Sequence, residues 1–382
     1  MKAVCFGAGN IGRGFLGQLL WESGCEIDFV DVDAHLIDLL NLRGAYPLRL
    51  VDGLGGVNNL TISSVGGILA SDFDHVVNAV AKADLILTSV GVGALPHIAP
   101  TIAAGISARA VANLPVNILL CENQYHAAEL MWGYVEPLLP EHDLAFARQS
   151  VGVVDVVVGR MVPKPSAATI AEDPLLVIAE PYHLLPCDAS QLKGNVPAVS
   201  GLEAETDFEA YVARKLYLQV AGHAAFAYLG YPTHEFIWQC VEDDRVRELV
   251  EPALDEAERA MSARYAFTLE ELQSFTAEML ERYRSRALGD TVERVAKDPL
   301  RKLRPDDRLV GAANLCIAAG IRPVAIARVI AAALRYDDAR DPAALDMQKR
   351  IAEMGVDGFL ESHCKIAKGS ELAQLIDAAQ SV

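Results

Sequence analysis

The run 214–223, RKLYLQVAGH, sets a lysine, Lys215, and a histidine, His223, eight residues apart on a segment with helical apolar spacing. A lysine amine that burial deprives of water gives up its proton more readily and becomes a general base, while a neutral imidazole donates a hydrogen bond to a developing oxyanion. Together they suit removal of a proton from an alcohol. Eight residues cover about 12 Å of a straight helix, so both reach one oxygen only if the helix bends or the lysine extends. The same residues admit a plainer reading, with Lys215 on a solvated face and His223 bonded to a carbonyl in a core.

A second chemical stretch opens the chain. The apolar run 2–6 enters Gly7, Ala8, Gly9, Asn10, Ile11 and Gly12, and Phe15, Leu16, Leu19, Leu20 and Trp21 then repeat with helical spacing. This is strand, tight turn and helix. Gly7 lets the chain turn, Gly9 lets backbone N–H groups reach a pyrophosphate, and Gly12 lets the helix sit close to the strand. The unpaired N–H groups of the helix N-terminus face the anion. Asp31 ends the next apolar run about twenty residues later, where a carboxylate accepts from a ribose 2′-OH and repels a 2′-phosphate, so the cofactor is NAD. Two further points belong to the carboxyl ends of buried strands. The strand 84–90 ends at Val90 and breaks into Gly91-Val92-Gly93, where small residues leave room for a ligand beside Val90 and Gly91, or form a plain turn. Asn123 follows the strand 117–121 and contacts the nicotinamide ribose or the substrate, or caps the next helix.

The elements that must position these groups change character along the chain. The first half alternates strands and helices, with a pair of antiparallel strands at 46–51 and 60–65 inserted into an otherwise parallel fold. The β-branched run 150–163 carries two charges, Asp155 and Arg160, which are either substrate contacts or a structural ion pair. A further strand falls in 174–187. The Gly-, Pro- and Ser-rich segment 191–201 then divides a Rossmann-type NAD-binding domain, 1–195, from a helical substrate and catalytic domain, 196–382. The spacing predicts helices over 210–229, 241–265, 268–288, 306–319, 323–334 and 342–354, with a capping box at Thr268 to Glu271. The fold class is α/β: a doubly wound sheet domain followed by a mostly helical one.

Composition narrows the partner. The formal net charge of -18 over 382 residues argues against nucleic acid or an anionic membrane, so an anionic ligand needs a local basic pocket. One exists in sequence between 294 and 308, where Arg301, Lys302 and Arg308 are the best candidates to hold a sugar phosphate, the rest being a solvated face. Seven cysteines without CxxC or zinc spacing point to reduced thiols in the cytoplasm. No window approaches about 20 uninterrupted apolar residues, so no membrane span is expected. His234-Glu235 lacks the second histidine that a metal site needs, and no metal is expected.

Several of these stretches together carry a resemblance over nearly the whole chain: FGAGNIGRGF at the start, CEN at 121–123, the strand 151–163, KLYxxxxGHAxxAYLG at 215–230 and VERVAKDPLRKLxxxDRL at 292–309. The chain resembles the zinc-independent, polyol-specific long-chain dehydrogenases. The resemblance implies an NAD-dependent, monomeric oxidoreductase acting on a polyol, interconverting mannitol 1-phosphate and fructose 6-phosphate by hydride transfer. Lys215 then matches the family's general base, and His223 the histidine that helps hold the substrate oxygen. Two positions depart from the family pattern. Val220 stands where the family's catalytic helix has Asn, and Gly159 where it has Asp before the arginine matching Arg160. These departures leave open another polyol or sugar acid as substrate, or a weakened NAD-binding relative.

Overall fold

The computed structural model describes residues 1–196 and 198–380; Pro197, inside the expected linker, lies outside them. Two compact units result. One comprises Met1–Asp52 with Gly56–Phe208, the other Gly53–Gly55 with Glu209–Val382.

The first unit is built on a parallel sheet of six strands. In chain order its strands are β1 (Lys2–Phe6), β2 (Glu26–Asp31), β3 (Ala45–Val51), β4 (Val57–Ser63), β5 (Val65–Leu69), β6 (Leu85–Thr88), β7 (Val116–Leu120), β8 (Val151–Asp155), β9 (Val177–Ala179), β10 (Leu185–Asp188) and β11 (Leu202–Glu205). The main sheet has the order β5-β2-β1-β6-β7-β8, which is the doubly wound dinucleotide-binding topology. Strand order reverses between β1 and β6, the point at which sheets of this topology bind ligands at their carboxyl edge. Alternate residues of β1 serve opposite faces: Ala3 and Cys5 join one apolar core with Phe15, Leu16 and Phe29, while Val4 and Phe6 join another with Ile86, Ile102 and Ile118. Both faces are thus covered, as a parallel sheet requires.

The inserted antiparallel pair is present as β3 and β4, extended by β9 into a separate three-stranded sheet. Residue 65, expected in that pair, instead starts β5 at the edge of the main sheet, because the positive φ of Ser64 (58°) turns the chain out of register. The runs 150–163 and 174–187 form shorter strands than their β-branched composition suggests. In the first the ladder covers Val151–Asp155, followed by a single antiparallel bridge from Val156 to Cys187, and the second breaks at Glu180 and Pro181 into β9 and β10.

The second unit is helical. Its central helix, Ala221–Gly230, packs against Asp244–Arg264, Val292–Ala296 and Val324–Leu334. The capping box at Thr268 forms: its side chain takes the Glu271 N–H while Glu271 takes the Thr268 N–H. The helix expected over 241–265 is two, Ile237–Glu242 and Asp244–Arg264, because Asp243 leaves helical geometry to cap the second. The helix from Pro342 continues to Ser362 through a kink at Gly355, where φ is 73°.

Candidate active site

In the sheet unit the glycine cluster folds as its spacing demands. A Cβ on Gly7, where φ is 97°, would lie 2.6 Å from the Ser89 carbonyl oxygen, and one on Gly12 would lie 1.9 Å from the carbonyl oxygen of Gly7. A Cβ on Gly9 would meet nothing within 4 Å, so the outer face of the loop is open to an anion. Asp31 Oδ2 accepts the Ala8 N–H at 2.7 Å and Oδ1 accepts the Asp33 N–H at 3.1 Å. A carboxylate has about four lone-pair positions, so capacity remains for ribose hydroxyls. Asn10 turns its amide to the Pro163 carbonyl at 3.1 Å, and Ile11 begins the helix. These features fit a dinucleotide.

The helix after the loop opens with a wide π segment, Gly12–Leu16, in which the Gly17 N–H reaches back five residues to the Gly12 carbonyl. Buried Tyr46 donates its hydroxyl to the Arg13 carbonyl at 2.7 Å, and Gly17 is obliged to be glycine because a Cβ there would sit 2.1 Å from that hydroxyl. At the end of β6 the N–H groups of Val90 and Gly91 donate to the two oxygens of buried Glu122, at 3.0 and 2.7 Å. They fix the loop and are not available to a ligand. Sequence reading passed over Glu122, although it adjoins Asn123. Asn123 is exposed beyond β7, and it does not cap the helix Ala127–Val135. The N–H of Ala128 in that first turn goes instead to Asp155, at 2.9 Å.

Asp155 and Arg160 do not pair with each other. Asp155 also accepts from the Gln191 amide at 3.1 Å. Arg160, 4% exposed, donates to the carbonyls of Tyr182, Gly14 and Pro181 and to Gln18, with its guanidinium 4.7 Å from the Phe15 ring centroid. These bonds tie both charges to surrounding backbone and amide groups, and not to each other. Gly159 lies against Tyr182, whose ring would be 2.8 Å from a Cβ at that position. The tyrosine fills the space a larger side chain would need.

Where the helical unit begins, Phe208–Arg214, a second π segment at Lys215–Val220 and Ala221–Gly230 form one continuous helix, of which all but Phe208 belongs to that unit. The Ala221 N–H reaches back five residues to the Leu216 carbonyl. Lys215 is half-buried as a residue, but its amine is desolvated. Burial, with a smaller push from the Arg308 charge, brings it down to about 8. Lys302, 3% exposed, is lowered to about 7, again mainly by burial and then by Arg308 and Arg301, and its amine donates to the Lys297 carbonyl. Arg308 is buried and pairs with Asp307 at 2.7 Å. Arg301 is a surface residue paired with Asp298 at 3.0 Å. Of the basic run, then, Lys302 and Arg308 turn inward, and the Arg308 charge acts on both Lys215 and Lys302, while Arg294 and Arg301 stay outside. Among the described residues no cluster of metal-ligating side chains occurs.

His223 Nε2 lies 2.9 Å from Asp290 Oδ2, off the line of a hydrogen bond. Burial raises the Asp290 carboxyl, but His223 and Arg294 outweigh it and hold the group below its ordinary value. The other face of the imidazole lies on Tyr283, with ring centroids 4.5 Å apart and planes 13° from parallel. The Tyr283 hydroxyl donates to the Gln219 carbonyl, inside the π segment. Neither Tyr283 nor Asp290 carried a sequence signal; each sits more than 50 positions from His223 on a separate element, and only the fold brings them together.

Comparison with known proteins accords with this layout. The mannitol dehydrogenase Rossmann domain matches residues 1–201 and the mannitol dehydrogenase C-terminal domain matches 207–375. A mannitol-1-phosphate 5-dehydrogenase of Brevibacillus brevis is 38% identical over 378 residues, covering 98% of this chain and 96% of that one. One of Bacillus licheniformis is 38% identical over 379 residues, covering 98% of each. Among solved structures, Pseudomonas fluorescens mannitol 2-dehydrogenase in complex with NAD and D-mannitol superposes with a TM-score of 0.71 at 17% identity, over 100% of this chain and 91% of that one. A D-sorbitol dehydrogenase gives 0.82 at 16% identity, over 99% and 92%. Those two likenesses are likenesses of fold. With both family domains matched in order and the relatives aligned along almost their full length, this chain belongs to the mannitol dehydrogenase family.

Proposed function

We propose that the protein is an NAD-dependent polyol-phosphate dehydrogenase that interconverts mannitol 1-phosphate and fructose 6-phosphate. The observation that carries this reading is the Lys215 amine, brought to about 8 by burial and by Arg308, on the helix that also holds His223. An amine so placed is neutral often enough near neutral pH to take a proton, and protonated often enough to return it. The 38% identity to mannitol-1-phosphate 5-dehydrogenases supports the substrate.

Each group then has a task. The turn from Gly7 through Ala8, Gly9, Asn10 and Ile11 to Gly12 receives the pyrophosphate, Asp31 takes the adenosine ribose and disfavours NADP, and Val90, Gly91 and Asn123 line the route toward the nicotinamide. NAD, when bound, supplies the acceptor for the hydride. Lys215 takes the hydroxyl proton at Nζ, and His223 steadies the alkoxide as it develops. Lys302 and Arg308 hold the phosphate, which offsets the cost of keeping cations buried. Val220 has no donor where relatives of this type have an amide, and loss of one such donor costs on the order of a hundredfold in turnover. We read the enzyme as a cytoplasmic monomer. Its seven cysteines are free and buried, which suits a reducing compartment, and among the described residues no helix is long and apolar enough to cross a membrane.

The test is NADH oxidation with fructose 6-phosphate beside free fructose, in the natural chain and in Val220→Asn. Turnover confined to the phosphate ester, with a gain in the variant, is the expected result. Preference for the free sugar, or no turnover in either protein, would overturn the assignment.

A further inference from the structure

We infer that Tyr283 is a positioning residue for the acid–base chemistry, acting on Lys215 and His223 at once. It reaches the π segment that begins at Lys215 and the His223 ring through different parts of one side chain. Its hydroxyl donates to the Gln219 carbonyl within the Lys215–Val220 π segment, and its ring lies flat on the His223 imidazole at 4.5 Å. The residue is 4% exposed, and the edge of Phe226 packs against it with centroids 6.3 Å apart, so the ring has little freedom to swing.

The argument runs from the backbone outward. A π turn bonds each N–H five residues back instead of four, and such turns are rare except where function holds them. Here the wide turn begins at Lys215. Its register sets the direction in which the lysine leaves the helix, and a donor fixed in the neighbouring element stabilises the widened form at the Gln219 carbonyl. One turn later the same ring faces one side of His223 while Asp290 Oδ2 stands 2.9 Å from Nε2. A ring trapped between a stacked partner and a carboxylate has one orientation. Tyr283 therefore couples the aim of the base to the aim of the imidazole, without contact with the reacting atoms.

This inference rests on the proposed chemistry for its kinetic consequence but not for its geometry, and the experiment separates the two. Tyr283→Phe keeps the ring and removes the hydroxyl; Tyr283→Leu removes both. Two quantities are read in the intact protein: steady-state kinetics with fructose 6-phosphate and NADH, and the pH dependence of Lys215 acylation by an amine-reactive reagent, scored on the Lys215 peptide. Tyr283→Phe is expected to lower kcat by about tenfold to a hundredfold, the scale of a small misplacement of a catalytic group, with KM for NADH within about twofold. In the same variant the acylation midpoint of Lys215 moves away from that of the natural chain, and Tyr283→Leu moves it further. A Tyr283→Phe protein with unchanged kcat and an unchanged acylation midpoint overturns the inference, whatever its melting temperature. If the natural chain proves inactive on the sugar phosphate, the proposed substrate has failed, and the acylation midpoint alone then decides the role of Tyr283.

Discussion

Asp31 Oδ2 accepts the Ala8 N–H at 2.7 Å, so the acid proposed to select the ribose also holds the glycine loop in shape. Removing it costs twice, once at the sugar and once at the loop. Asp31→Ser is expected to raise KM for NADH by about tenfold to a hundredfold, the worth of one or two charge-assisted hydrogen bonds. NADPH, no longer repelled, should lose far less or gain. The ratio of kcat/KM for the two cofactors measures this, and an unchanged ratio would remove Asp31 from cofactor selection.

Lys215 gives the reaction its pH dependence. As the base for polyol oxidation it must be neutral, so kcat/KM in that direction should rise with pH through about 8, where its amine titrates. Ketone reduction needs the protonated form and should fall through the same region. Opposite slopes with a shared midpoint are the signature, and Lys215→Met should abolish both. A midpoint near the ordinary lysine value of about 10.4 would show that the amine is not desolvated in solution.

Lys302 and Arg308 should report phosphate directly. Lys302→Met is expected to raise KM for fructose 6-phosphate by about tenfold or more while leaving KM for NADH unchanged. The amines of Lys215 and Lys302 are held at about 8 and about 7, below their unfolded values, so the unfolded chain binds more protons between there and about pH 10. Their burial cost is present in full below about pH 7 and is relieved as pH rises. An anion that pairs with them should therefore help most on the acid side. Calorimetry with inorganic phosphate at one fixed concentration, about a hundredfold over its Kd at pH 6.5, should raise Tm by several degrees near pH 6.5 and by less near pH 9. Equal gains at both pH values would place the phosphate elsewhere.

Gly159→Asp, the residue that the sequence resemblance implies at this position, is expected to destabilise this chain. The Tyr182 ring would lie 2.8 Å from the new Cβ, and overpacking of this kind costs about 1–3 kcal/mol. Thermal unfolding checks it, and adding Tyr182→Ala should recover part of the loss. A neutral single substitution would show that the ring moves aside freely.

Local chemistry explains what the sequence disclosed. Gly7, Gly12 and Asp31 announce their roles because each is fixed by neighbours close in the chain or by a turn that only its residue type can make. The helices from Ala221 onward are legible because their apolar stripes repeat. Charges inside apolar runs were ambiguous for a physical reason: Asp155 and Arg160 bond to carbonyls, amides and N–H groups that any sequence supplies, and such partners leave no trace in residue type. Tyr283 and Asp290 were invisible because they reach His223 from elements far along the chain. The π segments were hidden as well, since periodicity measured at 3.6 residues per turn assigns Lys215, Gln219 and Val220 to faces they do not occupy in a wider turn.

Each unit contains one wide turn clasped by a tyrosine hydroxyl, Tyr46 on the Arg13 carbonyl and Tyr283 on the Gln219 carbonyl. A π turn holds about one residue more than the α ladder around it, so each of these helices carries the equivalent of an insertion kept in place by a single donor. Deleting one residue from 12–16 or from 215–220 would let a regular α ladder close with the turns on either side nearly in phase, because the wide turn absorbs about one residue's rotation. The helix would survive such a change, and the directions of the side chains inside the segment would not. In this chain the length of these two segments is thus as much a functional parameter as the identity of their side chains.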